Sequence, residues 1–188
     1  KEEAVKAFGL MPGKRTILFI GGSLGAQTLN ESILGNLPLV KQQSRIQFIW
    51  QTGKYYSEYI QNELARRGQP KNLVVQDFIS DMRMAYAAAD LVISRAGAGS
   101  ISEFCLLGKP VILIPSPIVA EDHQSNIALA LVQKEAALFV KDAEARRTFL
   151  PLAIITVTDA EKLESLSQHI LQLARPNAAS DIADEVIR

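Results

Sequence analysis

Short and nearly continuous apolar runs recur along this chain, and they restrict its fold more than any other feature of the sequence. TILFI at 16–20, IQFIW at 46–50, NLVVQ at 72–76, LVI at 91–93 and VILI at 111–114 are all of strand length. They are rich in β-branched and aromatic residues and bounded by turn signals. A strand with one wet face alternates apolar with polar residues, whereas a nearly continuous run belongs to a strand covered on both faces. Between the runs the pattern turns helical, over 27–34, 55–67, 82–89, from Ser100 to a stop at Gly108, and over 125–134. A last strand is expected over 137–140, then helices over 160–173 and, past a break at Pro176, over 179–187. Strand and helix alternating in this way predict an α/β fold, a doubly wound, mostly parallel sheet with helices on both faces. With 188 residues the chain suits one domain, 1–188, rather than two. Its first helix, over 1–8, is loose and polar, as in a piece cut from a longer protein.

In such sheets ligands sit outside the carboxyl ends of the strands, and the unusual stretches fall there. The first strand runs into Gly21-Gly22-Ser23-Leu24-Gly25-Ala26, the fourth into Ser94-Arg95, Gly97 and Gly99. A strand, a glycine turn and a helix start aim backbone N–H groups outward from a positive helix end, where an anion can sit. Ser23 and the amides around Gly22–Ala26 suit phosphate oxygens, and Arg95 adds a permanent cation. Glu103 can accept from both hydroxyls of a vicinal diol. Ser100-x-x-Glu103 fits a capping box equally well. Gln124 and Asn126 open a further helix at the same edge, where an amide that donates and accepts suits a sugar hydroxyl pair. Asp122 reads as readily as an N-cap, and Gln124 as a solvated first-turn residue.

Several chemistries are poorly matched. The first turn is not G-x-G-x-x-G, and the second strand ends in Gln51-Thr52 with no carboxylate before Glu58, against a dinucleotide cofactor. Gly53-Lys54-Tyr55 lacks the upstream glycine and the hydroxyl of a P-loop. His123 and His169 form no H-x-x-x-H pair, so no metal is expected. His169 reads as solvated, Cys105 as a small buried residue, and no G-x-S-x-G elbow occurs. Twenty basic against 20 acidic residues give no electrostatic footprint for nucleic acid. Pro115 and Pro117 interrupt the longest apolar stretch, 111–120, well short of a membrane span. The start carries no signal-peptide pattern, so a cytoplasmic location is expected. What remains is a site that holds a diphosphate and a sugar.

GGSLGA (21–26), DFISDM (77–82), SRAGAGSISE (94–103) and EDHQSNIALAL (121–131), in that order over nearly the whole chain, resemble the C-terminal half of the MurG family. That family moves N-acetylglucosamine from its UDP derivative to the lipid-linked muramyl-pentapeptide of peptidoglycan synthesis, lipid I to lipid II. The resemblance implies one Rossmann-like half of a GT-B glycosyltransferase, the donor-binding domain, facing an N-terminal acceptor domain absent from this chain. It implies that Ser23 contacts the diphosphate, that Ile79 presents its backbone to the uracil and that Met82 lies close by. Ala98, Gly99 and Ser100, with Ile101 and Ser102 in the same stretch, would meet the diphosphate and sugar. Glu103 would hold the ribose, and Gln124, beside His123, the N-acetylglucosamine. Leu24 and His123 stand where some members have glutamine, and Gly99-Ser100 where some have leucine-threonine. The implied reaction is an inverting displacement at the anomeric carbon that needs no cofactor. Its base, its acceptor site and its membrane contacts would belong to the other domain, with the whole protein at the inner face of the plasma membrane. Two alternatives stay open: a separate sugar-nucleotide-binding subunit of a two-chain transferase, and a fragment of a sugar-nucleotide epimerase.

Overall fold

A computed structural model describes residues 1–22, 25–118 and 123–175. Six strands, β1 (Arg15–Ile20), β2 (Ile46–Gln51), β3 (Leu73–Gln76), β4 (Leu91–Ser94), β5 (Val111–Leu113) and β6 (Leu138–Phe139), pair in the order β3-β2-β1-β4-β5-β6. Every neighbouring pair is parallel. The helices are α1 (Glu2–Ala7), α2 (Gln27–Gly35), α3 (Leu37–Gln42), α4 (Ser57–Arg67), α5 (Met82–Ala88), α6 (Ala98–Leu107), α7 (His123–Gln133), α8 (Ala145–Thr158) and α9 (Ala160–Leu171).

The continuous apolar runs have a direct structural cause. Side chains alternate across a strand, and here both faces are core. Ile17, Phe19, Phe48, Trp50, Leu91 and Ile93 point to one side, under α2, α3, α4 and α8. Leu18, Ile20, Ile49, Val92, Val111 and Leu113 point to the other, under α1, α5, α6 and α7. On the first side Phe19 stacks on Phe48 at 5.7 Å and meets Phe149 of α8 edge-on at 5.8 Å. One polar network is buried there: Trp50 Nε1–H donates to Asn30 Oδ1 at 2.9 Å, and Asn30 Nδ2 donates to the Thr52 carbonyl at 2.9 Å.

The expected strands and most expected helices form within one to three residues of their expected bounds. The segment expected to be helical over 55–67 divides into a 3-10 turn, Lys54–Tyr56, and α4. Two helices were not anticipated. α3 is short, with Pro38 in its first turn. α8 contains Pro151 and the β-branched run Ile154 to Thr158, features that disfavour helix locally. Its Ala145, Phe149, Leu150, Ala153 and Val157 nevertheless make an apolar stripe at helical spacing, and packing prevails. His169, expected to be solvated, lies with Nδ1 2.7 Å from the Ser165 carbonyl. Cys105 is buried, and burial pushes its thiol up. Asp122 and the helix expected over 179–187 lie outside the described residues. Among the described residues no helix is long and apolar enough to cross a membrane.

Since Phe149 fills the space between α8 and β1, Phe149→Ala should lower the unfolding free energy by about 3–5 kcal/mol in urea denaturation. A loss below about 1 kcal/mol would mean that α8 is not part of the cooperative core.

Candidate functional site

β1 and β4 lie side by side, and the chain leaves their carboxyl ends in opposite directions, toward β2 and toward β5. A crevice opens where such connections part. Here it is a cavity of about 730 Å³, walled by the exits of β1, β3, β4 and β5.

The β1 exit is built on close backbone approach. Gly25 has φ +83°, and a Cβ there would stand 2.2 Å from the Thr52 carbonyl oxygen, so only glycine fits. Gln51, at the end of β2, ties this loop to the next. Its Nε2 donates to the Gly22 carbonyl at 3.0 Å, and its Oε1 accepts from the Ile79 N–H at 3.2 Å. The Ile79 N–H is thereby engaged within the protein. Met82 lines the cavity, while Asp81 caps α5 by accepting from the Met84 N–H at 3.2 Å.

At the β4 exit the capping box does not form. α6 begins at Ala98 after an extended Gly97, with no side-chain cap, which leaves Ser100 inside the first turn. Glu103 turns elsewhere: its Oε2 accepts from Tyr86 Oη at 2.7 Å. α2 likewise starts without a side-chain cap, after Ala26. Two helix N-termini thus reach the cavity with orphan amides. No Cβ contact would arise within 4 Å at Gly97 or Gly99, so neither glycine is required by the protein's own packing.

Arg95 lines the cavity, but its charge is already engaged. Nη1 donates to the Ile114 and Pro115 carbonyls at 3.0 and 3.2 Å and pairs with Asp142 Oδ1. Thr28 of α2 donates to the other Asp142 oxygen at 3.0 Å. The expected cation is therefore also a clamp joining the β4 and β5 exits to the turn before α8. What it offers an anion is an already paired guanidinium. Gln124, rather than a solvated first-turn residue, accepts from the Ser116 N–H at 2.9 Å and lines the cavity.

The cavity wall thus unites Gly22, Gly25, Ile79, Met82, Arg95, Ser100, Glu103 and Gln124. Ala98 and Gly99 are exposed in the adjoining first turn of α6 and are not part of the wall. Ile101 is buried in the core beneath α6, because its helical position faces the sheet. Ser102 donates back to the Ala98 carbonyl at 3.0 Å, and His123 is exposed at the start of α7. Ser23 lies outside the described residues. Sequence reasoning missed Tyr86, Asp142 and the bridging role of Gln51.

Residues 16–185 match the glycosyltransferase family 28 C-terminal domain. The chain belongs to that family. A relative from Bacteroides fragilis, UDP-N-acetylglucosamine–N-acetylmuramyl-(pentapeptide) pyrophosphoryl-undecaprenol N-acetylglucosamine transferase, is 58% identical over 188 residues, all of this chain and 50% of its own length. The crystal structure of Acinetobacter baumannii MurG superposes with a TM-score of 0.75 at 33% identity, over 91% of this chain and 51% of that one. A crystallised C-terminal domain of a group 1 glycosyl transferase from Francisella tularensis shares the fold, with a TM-score of 0.62 at 17% identity over 92% of this chain and 89% of that one. This family 28 domain spans about half the length of the curated relatives it matches.

Gly25 and Gly99 should respond oppositely to alanine. Gly25→Ala meets Thr52 and should cost about 1–3 kcal/mol from backbone strain alone. Gly99→Ala, in a helix with open space around it, should stabilise the unliganded chain by up to about 1 kcal/mol. Urea unfolding midpoints measure both, and a destabilising Gly99→Ala would mean that packing, not a ligand's approach, calls for glycine there.

Proposed function

We propose that this chain is the donor-binding half of a transferase that moves N-acetylglucosamine from UDP-N-acetylglucosamine to a lipid-linked muramyl-pentapeptide, lipid I to lipid II. The observation that carries this is the meeting of two uncapped helix N-termini, Glu103 and Gln124 in one cavity at the switch point of a family 28 domain. A diphosphate suits the N-termini of α2 and α6, where backbone dipoles favour negative charge. Glu103 then reaches the ribose hydroxyls, Ile79 and Met82 the uracil, and Gln124 the N-acetylglucosamine. Ser23, Ala98 and Gly99 complete the diphosphate contacts.

In the reaction an acceptor hydroxyl oxygen attacks the anomeric carbon and gives its proton to a base, while the bond from that carbon to the β-phosphate oxygen breaks. UDP leaves and the configuration inverts. This half stabilises the charge that builds on the leaving diphosphate, by helix N-termini and by paired Arg95. The scheme calls for no cofactor. The base, the lipid-linked acceptor and the membrane contacts fall to an N-terminal acceptor domain, and the whole protein works at the cytoplasmic face of the plasma membrane. Family membership and the 58% identical relative favour this over an epimerase.

Calorimetry with the 188-residue chain should show binding of UDP-N-acetylglucosamine, weaker binding of UDP-glucose and none of NAD. Glu103→Ala should weaken donor binding by about 1–3 kcal/mol, the cost of removing a charged hydrogen-bond partner. An unchanged affinity would sink the ribose role, and sugar transfer by the chain alone would refute the division of labour.

A further inference from the structure

Glu103 lies on an exposed part of α6, where a carboxylate on a flexible stem would sample several rotamers. Among the described residues one hydrogen bond restrains it, from Tyr86 Oη. Tyr86 is itself held: the residue is 4% exposed, and its ring meets Phe104 edge-on at 5.7 Å. Burial first, and then the bond to Glu103, push the Tyr86 phenol upward, so it stays protonated and acts as a donor. A phenol that donates to Oε2 leaves Oε1 and the remaining lone pair of Oε2 for two further hydroxyl donors. Tyr86 also belongs to α5, the helix that follows Ile79 and is opened by Met82.

We propose that Tyr86 is a positioning residue for ribose recognition: it fixes the Glu103 carboxylate so that both hydroxyls of the donor nucleotide are read together. Through α5 it links that reading to the loop that meets the base. The inference rests on the assignment of Glu103 to the ribose, and the test separates the two.

UDP and 2′-deoxy-UDP are titrated by calorimetry into the 188-residue chain and its Tyr86→Phe and Glu103→Gln variants, with urea unfolding as the control for folding. The unsubstituted chain should prefer UDP by about tenfold or more, the scale of one hydrogen bond to a charged group. Tyr86→Phe should lose most of that preference while its affinity for 2′-deoxy-UDP and its unfolding midpoint stay near those of the unsubstituted chain. Glu103→Gln should lose the preference as well. A Tyr86→Phe variant that keeps the full preference while Glu103→Gln abolishes it overturns the positioning role and leaves the Glu103 assignment standing. Equal weakening toward both ligands assigns Tyr86 a merely structural part and also overturns it. No preference in the unsubstituted chain removes the Glu103 assignment, and the proposal with it.

Discussion

Parallel pairing of β1 with β4 sets Ile20 beside Ser94 at the carboxyl edge of the sheet, and from those adjacent ends the chain departs to opposite sides. With both faces covered, little polar chemistry can sit along the strands, and it gathers at their ends. The cavity follows from this connectivity. The loops that leave β1, β4 and β5 are anchored by strands buried on both sides, which gives a rim of turns the rigidity that turns alone lack.

The same physics decides how much could be read in advance. Continuous apolar runs reveal doubly buried strands because burial acts on every residue of the run. Helices on the surface of the sheet are less visible. α8 combines Pro151 with β-branched residues, and only its stripe facing Phe19 offsets local preference. That Gly22, Gly25 and Ser100 meet at one cavity was legible because turn chemistry is local. Tyr86, Asp142 and Gln51 were not, since each acts on a partner distant in sequence: Arg95 and Asp142 are 47 positions apart, Gln51 and Ile79 28. Ser100 and Glu103 illustrate the converse. Their spacing suits a cap, but the helix starts two residues before Ser100, and Glu103 finds a better donor in Tyr86.

The charged and amide side chains around the cavity each have at least one partner within the protein. Arg95 has Asp142, Asp142 has Thr28, Glu103 has Tyr86 and Gln124 has the Ser116 amide. Every buried side-chain nitrogen or oxygen among the described residues has a partner. The backbone amides at the starts of α2 and α6 differ, for their geometry leaves them without intrahelical partners. Side chains therefore set shape and orientation, and the main chain supplies the positive end for an anion.

Gln51 has a structural consequence. It occupies the place at the tip of β2 where dinucleotide-binding relatives of this architecture keep an acid for the adenosine ribose. Here an amide is needed at that place, since one end must give a proton to the Gly22 carbonyl and the other must take one from Ile79. A carboxylate would oppose the Gly22 oxygen with a second acceptor and loosen two walls at once. An acid at this position would therefore act against both loops at once, so the strut and a ribose-binding carboxylate compete for the same place in the fold.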